Sequence, residues 1–120
     1  MYTKNGQHYT VKKGWGCEVW FINNEHYCGK FLEVKKGFKC SYHFHHEKDE
    51  HFVINKGKIL LRYSFDDDIT KANTLILEPG DSFHIDVGLR HQFEGLEDSV
   101  IVEFSMHHED SDSFRIIKGD

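Results

Sequence analysis

Proline is almost absent from this chain of 120 residues; it occurs once, at Pro79. Cysteine is sparse, with only Cys17, Cys28 and Cys40. An odd, widely spaced set argues against a disulfide framework. No pair has the Cys-x-x-Cys spacing of a thiolate zinc site. The three read as small buried hydrophobes in a reducing compartment. Basic clusters are missing too. The longest are the pairs Lys12-Lys13 and Lys35-Lys36, each beside a glycine, and the net charge is −5. No nucleic-acid partner is expected from such a chain. The polar N-terminus has no apolar signal core, and no later run is long enough to span a bilayer. The expectation is a cytoplasmic protein with no membrane partner. Helical periodicity is also lacking: none persists for three turns.

What remains is a string of short β-rich runs, each ended by a turn signal. They cover roughly residues 16–22, 27–35, 39–45, 50–55, 58–64, 73–77, 82–85, 91–94 and 99–105. Asn23-Asn24 and Lys36-Gly37 tolerate positive φ. Asn55-Lys56-Gly57 makes a short hairpin. Pro79-Gly80 suits a turn with proline second and glycine third. Asp66-Asp67-Asp68 is a solvated connector leading into a helical turn through Ala72. Close turn spacing with so many strands predicts an all-β sandwich or closed barrel. Residues 1–120 form one domain by length, large enough to bury a core without staples.

Strand parity adds to this. Between Lys39 and His45, Ser41, His43 and His45 share one face. Phe38, Cys40, Tyr42 and Phe44 share the other, which is apolar and has to be covered by a second layer or a second subunit. A homodimer burying that face is the expectation.

Ten histidines are present, and four of them crowd between positions 43 and 51. His43-x-His45 places two imidazoles on one side of a strand, about 7 Å apart at the backbone. Taken alone that pattern is weak. Glu50 follows across a tight loop, and His91 closes a later turn. These four side chains form a donor set that suits one divalent transition metal ion such as Zn, Mn, Fe, Ni or Co. Four protein ligands on an octahedral ion leave two places open for chemistry.

The stretch from Gly37 through His43, His45 and Glu50 to Gly57 matches the first sequence motif of the cupins at every specified position. Residues 80–95 resemble the second motif: Gly80, Gly88 and His91 match, while Asp86 stands where proline is usual and Gly95 where asparagine is usual. The resemblance implies the cupin fold, a double-stranded β-helix or jelly-roll barrel, with motif one at 37–57 and motif two at 80–95. A looser likeness links Trp15-Gly16, residues 27–37 and the tail 109–120 to the cupin domain of type II mannose-6-phosphate isomerases. In that family the position of His43 is commonly glutamine, while those of His45, Glu50 and His91 are kept as ligands. The likeness implies sugar or sugar-phosphate chemistry, hence a small-molecule, carbohydrate substrate.

An isomerase of that kind needs a general base. Glu103, inside the apolar run Val100–Phe104, is the candidate, facing either inward or a wet face. Lys30 and Arg90 are candidates for contacting hydroxyls or a phosphate; each is otherwise a surface cation. His46, His51, His84, His107 and His108 read as structural or solvated. Three functions share the donor set: a metal-dependent sugar isomerase or epimerase, an Fe-, Ni- or Cu-dependent dioxygenase, and a non-catalytic sugar or small-molecule binder. Fold does not choose among them. The likeness at Trp15-Gly16 and Lys30 favours the first.

Overall fold

The computed structural model describes residue 2 and residues 9–120. Strands dominate it: β1 (Tyr9–Lys13), β2 (Gly16–Asn23), β3 (Cys28–Val34), β4 (Tyr42–His45), β5 (Glu50–Lys56), β6 (Ile59–Ser64), β7 (Asn73–Leu77), β8 (Ser82–Ile85), β9 (Arg90–Gly95), β10 (Ser99–Ser105) and β11 (Ser113–Ile117). They form a six-stranded sheet, ordered β1-β2-β3-β10-β5-β8, and a five-stranded sheet, ordered β11-β4-β9-β6-β7. Strand neighbours pair antiparallel. A single 3-10 turn at Ile69–Lys71 follows the acidic connector, with Asp68 as its N-cap. Among the described residues no helix is long and apolar enough to cross a membrane.

Alternation along the six-stranded sheet decides what lies between the layers. On β10, Ser99, Ile101 and Glu103 are buried while Val102 and Phe104 turn away. The register then builds inward rows. Leu32, Ile101 and Ile54 sit side by side, and so do Lys30, Glu103 and Phe52. Ile59, Leu61 and Phe93 face them from the opposite sheet, completing one apolar core. Full burial of each such side chain is worth about 1.5–3 kcal/mol. The interior is therefore two-ended. It is apolar at the Ile101 level and charged at the Glu103 level, two residues further along β10.

Two expectations about the chain path need correcting. The strand at motif one begins at Tyr42, not Lys39, and Lys39 makes only an isolated bridge to Glu94. Alternation therefore fails at Cys40, which turns into the core beside Phe93. The apolar face named above is partly covered by the chain itself. Tyr42 is wholly buried and its hydroxyl donates to the Asp66 carbonyl. Phe44 lies between Phe114, stacked at 5.3 Å, and the Arg90 guanidinium, 3.7 Å above its ring. Phe38, 41% exposed, is the part of that face that the chain leaves open.

Gly57, which closes motif one, has a steric reason to be glycine. Its φ is +87°, and a Cβ there would stand 2.2 Å from Ser99 Oγ and 2.4 Å from the Asp98 carbonyl oxygen. Gly80 has a similar φ of +93° but nothing within 4 Å. Left-handed backbone alone costs of order 1 kcal/mol for a non-glycine residue. Gly57→Ala should add a clash to that strain and lose about 2–4 kcal/mol. Gly80→Ala should lose only about 1 kcal/mol. Chemical denaturation of the two variants checks the difference; equal losses would refute the steric account.

Candidate metal centre

The charged end of the interior opens into a cavity of 450 Å³ lined by His43, His45, Glu50 and His91, with Lys30, Lys48, Glu103 and His108 beside them. His43 and His91 are direct cross-strand partners on β4 and β9. One ring nitrogen from each of His43, His45 and His91 lies within 4.8 Å of the others. Glu50 arrives from the start of β5, its Oε1 3.2 Å from His91 Nε2 and 3.7 Å from His45 Nε2.

Backbone carbonyls fix the orientation of all three rings. His43 Nδ1 donates to the Ser41 carbonyl at 2.9 Å, His45 Nδ1 to that of Asp112 at 3.1 Å, and His91 Nδ1 to that of Leu89 at 2.9 Å. A carbonyl only accepts, so each Nδ1 carries a proton, and in the neutral ring Nε2 keeps its lone pair. This is the outer-shell arrangement that orients metal-binding imidazoles. Desolvation drives the His43 imidazole well below its ordinary pKa, and the neighbouring His91 and His45 push it the same way. Burial likewise brings His45 down to about 4. Both rings are neutral at neutral pH and free to ligate.

The residues present fit a cation on this structure's own evidence. Lone pairs of His91 Nε2 and Glu50 Oε1 face each other at hydrogen-bond distance. In the neutral ring, with its proton on Nδ1, those two acceptors repel unless a cation lies between them. Glu50 Oε2 is buried and accepts no hydrogen bond among the described residues, although Lys48 Nζ stands 3.1 Å away. Burial alone would raise the Glu50 carboxyl, but the Lys48 ammonium holds it well below the usual carboxylate range. A carboxylate and three imidazoles make a borderline N/O donor set.

The surroundings of the centre contain residues that the sequence reading missed. Lys48, only 3% exposed, reaches Glu50, Glu103 Oε2 (3.2 Å) and His108 Nδ1 (2.9 Å). Burial opposes its charge, but Glu103 and Glu50 outweigh that and raise its pKa. His108 lines the cavity; burial, and then Lys48, lower its pKa. Asp112 holds the loop after His45, its carboxylate accepting the backbone N–H groups of His46, Glu47 and Lys48. Those partners are 60–67 residues away in sequence, and no spacing rule reaches that far.

The other expected residues divide. Glu103 is 4% exposed and points inward, where Ser105 Oγ donates to its Oε2 at 2.8 Å. Lys30 is 2% exposed and lines the same cavity, not the surface. Arg90 lies outside. Its guanidinium covers Phe44, its Nε donates to Asp67 and its Nη1 to the Gly88 carbonyl. Because His91 points inward, its neighbour on β9 points away. His46, His51 and His84 are exposed; the last two stack on each other, and His84 pairs with Asp49.

The Cupin domain family profile matches residues 30–107, well over half of the chain. This chain is a cupin. Its fold is shared by CapF, the capsular polysaccharide assembling protein from Staphylococcus aureus, at a TM-score of 0.78 and 22% identity, over 90% of the cupin and 34% of CapF. KdgF from Halomonas sp. matches at 0.76 and 16% identity, over 92% of the cupin and 98% of KdgF. Oxalate decarboxylase from Bacillus subtilis matches at 0.76 and 14% identity, over 91% and 30%. The cupin thus spans about a third of CapF and of the decarboxylase. No curated protein matches the sequence.

Proposed function

We propose that this cupin is a metal-dependent isomerase or epimerase acting on a sugar or sugar phosphate. The observation that carries the reading is Glu103. This carboxylate is enclosed in the same cavity as the three convergent imidazoles, with Oε2 held by Lys48 and Ser105. Its Oε1 accepts no hydrogen bond among the described residues and is free to take a proton.

A divalent transition ion held by His43, His45, Glu50 and His91 supplies Lewis acidity to a carbonyl and its neighbouring hydroxyl. Glu103 takes the proton from the hydroxyl-bearing carbon next to the carbonyl and returns it to the former carbonyl carbon, while the hydroxyl proton passes to the former carbonyl oxygen; epimerisation would need a second acid on the other face. Lys48 ion-pairs with Glu103 at 3.2 Å, and the buried setting excludes bulk water. The likeness to CapF, which serves polysaccharide assembly, agrees with a carbohydrate substrate.

The test is proton exchange. Purified protein is analysed for metal, then incubated in D2O with aldose and ketose phosphates and the free sugars, with NMR as the readout. The expected result is about one divalent ion per chain and deuterium at the carbon next to the carbonyl, lost in Glu103→Gln. Sugar binding without exchange would make the protein a binder. Oxygen consumption by an iron-loaded protein would make it a dioxygenase. Either overturns the proposal.

A further inference from the structure

Lys30 presents a problem the metal centre does not solve. Its side chain is 1% exposed, yet its ammonium makes no hydrogen bond among the described residues. The nearest carboxylate oxygens are Glu18 Oε1 at 3.6 Å and Glu103 Oε2 at 3.9 Å. Both attract the charge, and both are too far to accept a hydrogen bond. The Trp20 ring closes one side, 4.0 Å away, and its Nε1–H is committed to Glu18 Oε1 at 2.9 Å. The open side is the cavity, which Lys30, Glu18 and Glu103 all line. A buried ammonium with unmet N–H groups is costly. The acceptors have to come from the cavity, from water or from a ligand that displaces it.

The charge pattern says what kind. From Glu18 through Lys30, Glu103 and Lys48 to Glu50 the signs alternate in close steps, reaching a metal ligand. An anion placed on Lys30 would meet two carboxylates already within 4 Å of that nitrogen. A hydroxyl meets no such conflict. It accepts from an ammonium and donates to a carboxylate at once. Neighbouring hydroxyls on a carbon chain therefore match alternating Lys and Glu. We infer that this end of the cavity is a subsite for vicinal hydroxyls of an uncharged polyol segment, with Lys30 donating and Glu18 and Glu103 accepting. The inference rests on the sugar reading above and sharpens it: a phosphate, if the substrate carries one, does not sit on Lys30.

Calorimetric titration of the metal-loaded full chain tests this, with fructose, mannose and inorganic phosphate as probes. Lys30→Met removes the donor. The double variant Glu18→Gln, Lys30→Met does so while keeping the local charge balanced, in case the single change fails to fold. The expected result is sugar binding to wild type that weakens about ten- to a hundredfold in both variants, as for a hydrogen bond to a charged group. Metal content stays at the wild-type level, and phosphate does not displace the sugar. Unchanged sugar affinity in the folded double variant overturns the inference. So does a wild type that binds neither sugar, or phosphate binding that depends on Lys30. Sugar binding through Lys30 without deuterium exchange would sink the isomerase proposal alone. Exchange that Lys30→Met leaves untouched would sink the subsite alone.

Discussion

Alanine in place of His43, His45 or His91 is expected to empty the metal centre. In each variant elemental analysis after dialysis should find less than a tenth of the wild-type metal. Loss of a mere outer partner of a ligand costs about 10–100-fold in affinity, and loss of the ligand should cost more. Three Nε2 lone pairs are held toward one point by Nδ1 donation to separate backbone carbonyls. Pre-set in this way, the site pays little ordering entropy, and each removed donor is missed in full. The same geometry makes a second statement. Without a cation, Glu50 Oε1 and His91 Nε2 face each other unbridged, so chelation should destabilise the wild type. An ion at a hundred times its Kd contributes about 2.7 kcal/mol. For a domain of this size that is about 10 °C in Tm. Scanning calorimetry with and without a chelator measures it. Full metal retention in all three alanine variants would refute the centre.

Much of that centre can be read from the sequence because it depends on short-range parity. His43 and His45 share a strand face, and Glu50 starts the next strand. Glu103 is equally legible in hindsight: two residues from Ile101 on β10, it has to share that residue's inward face. Arg90 could have been excluded by the same rule, since it precedes inward-pointing His91. What no local rule supplies is partnership across the barrel. Lys48 lies in a polar loop and reads as a surface cation until the register brings Glu103 to it, 55 residues away. His108 and Asp112 follow the last sequence-predicted strand, and only the return of the tail onto β4 through β11 places them.

The two strands missed from sequence have a common cause. β1 and β11 bury almost nothing, with a single half-buried residue each. They carry no apolar alternation to detect. Backbone pairing to β2 and β4 forms them, and both end their sheets. Edge strands of this kind are a property of the sheet they join. The apolar face expected from Phe38 to Phe44 is broken up for a related reason. Cys40 and Tyr42 were assigned to one continuous strand, but the ladder begins only at Tyr42, and the chain ahead of it bends into the core.

Glu103 is expected to give the largest loss of stability at any single polar position. Lys48 and Lys30 are 3% and 2% exposed, and Glu103 is the acid that stands between them. Glu103→Ala leaves one positive charge in excess among buried groups and also opens a void. Breaking a buried pair from one side costs about 3–5 kcal/mol, which for this chain length is about 10–25 °C in Tm. Glu103→Gln keeps the shape and an acceptor for Lys48 and should lose well under half of that. Neither change touches a metal ligand, so both variants should hold metal as the wild type does. Their activities should fall together, by about 10²–10⁴-fold in kcat, the usual contribution of a positioned base. A base can be replaced by neither alanine nor glutamine, whereas a charge clamp tolerates the second. A glutamine variant with near wild-type kcat would leave Glu103 as a clamp only, and the proton-transfer role would have to be given to another group in the cavity.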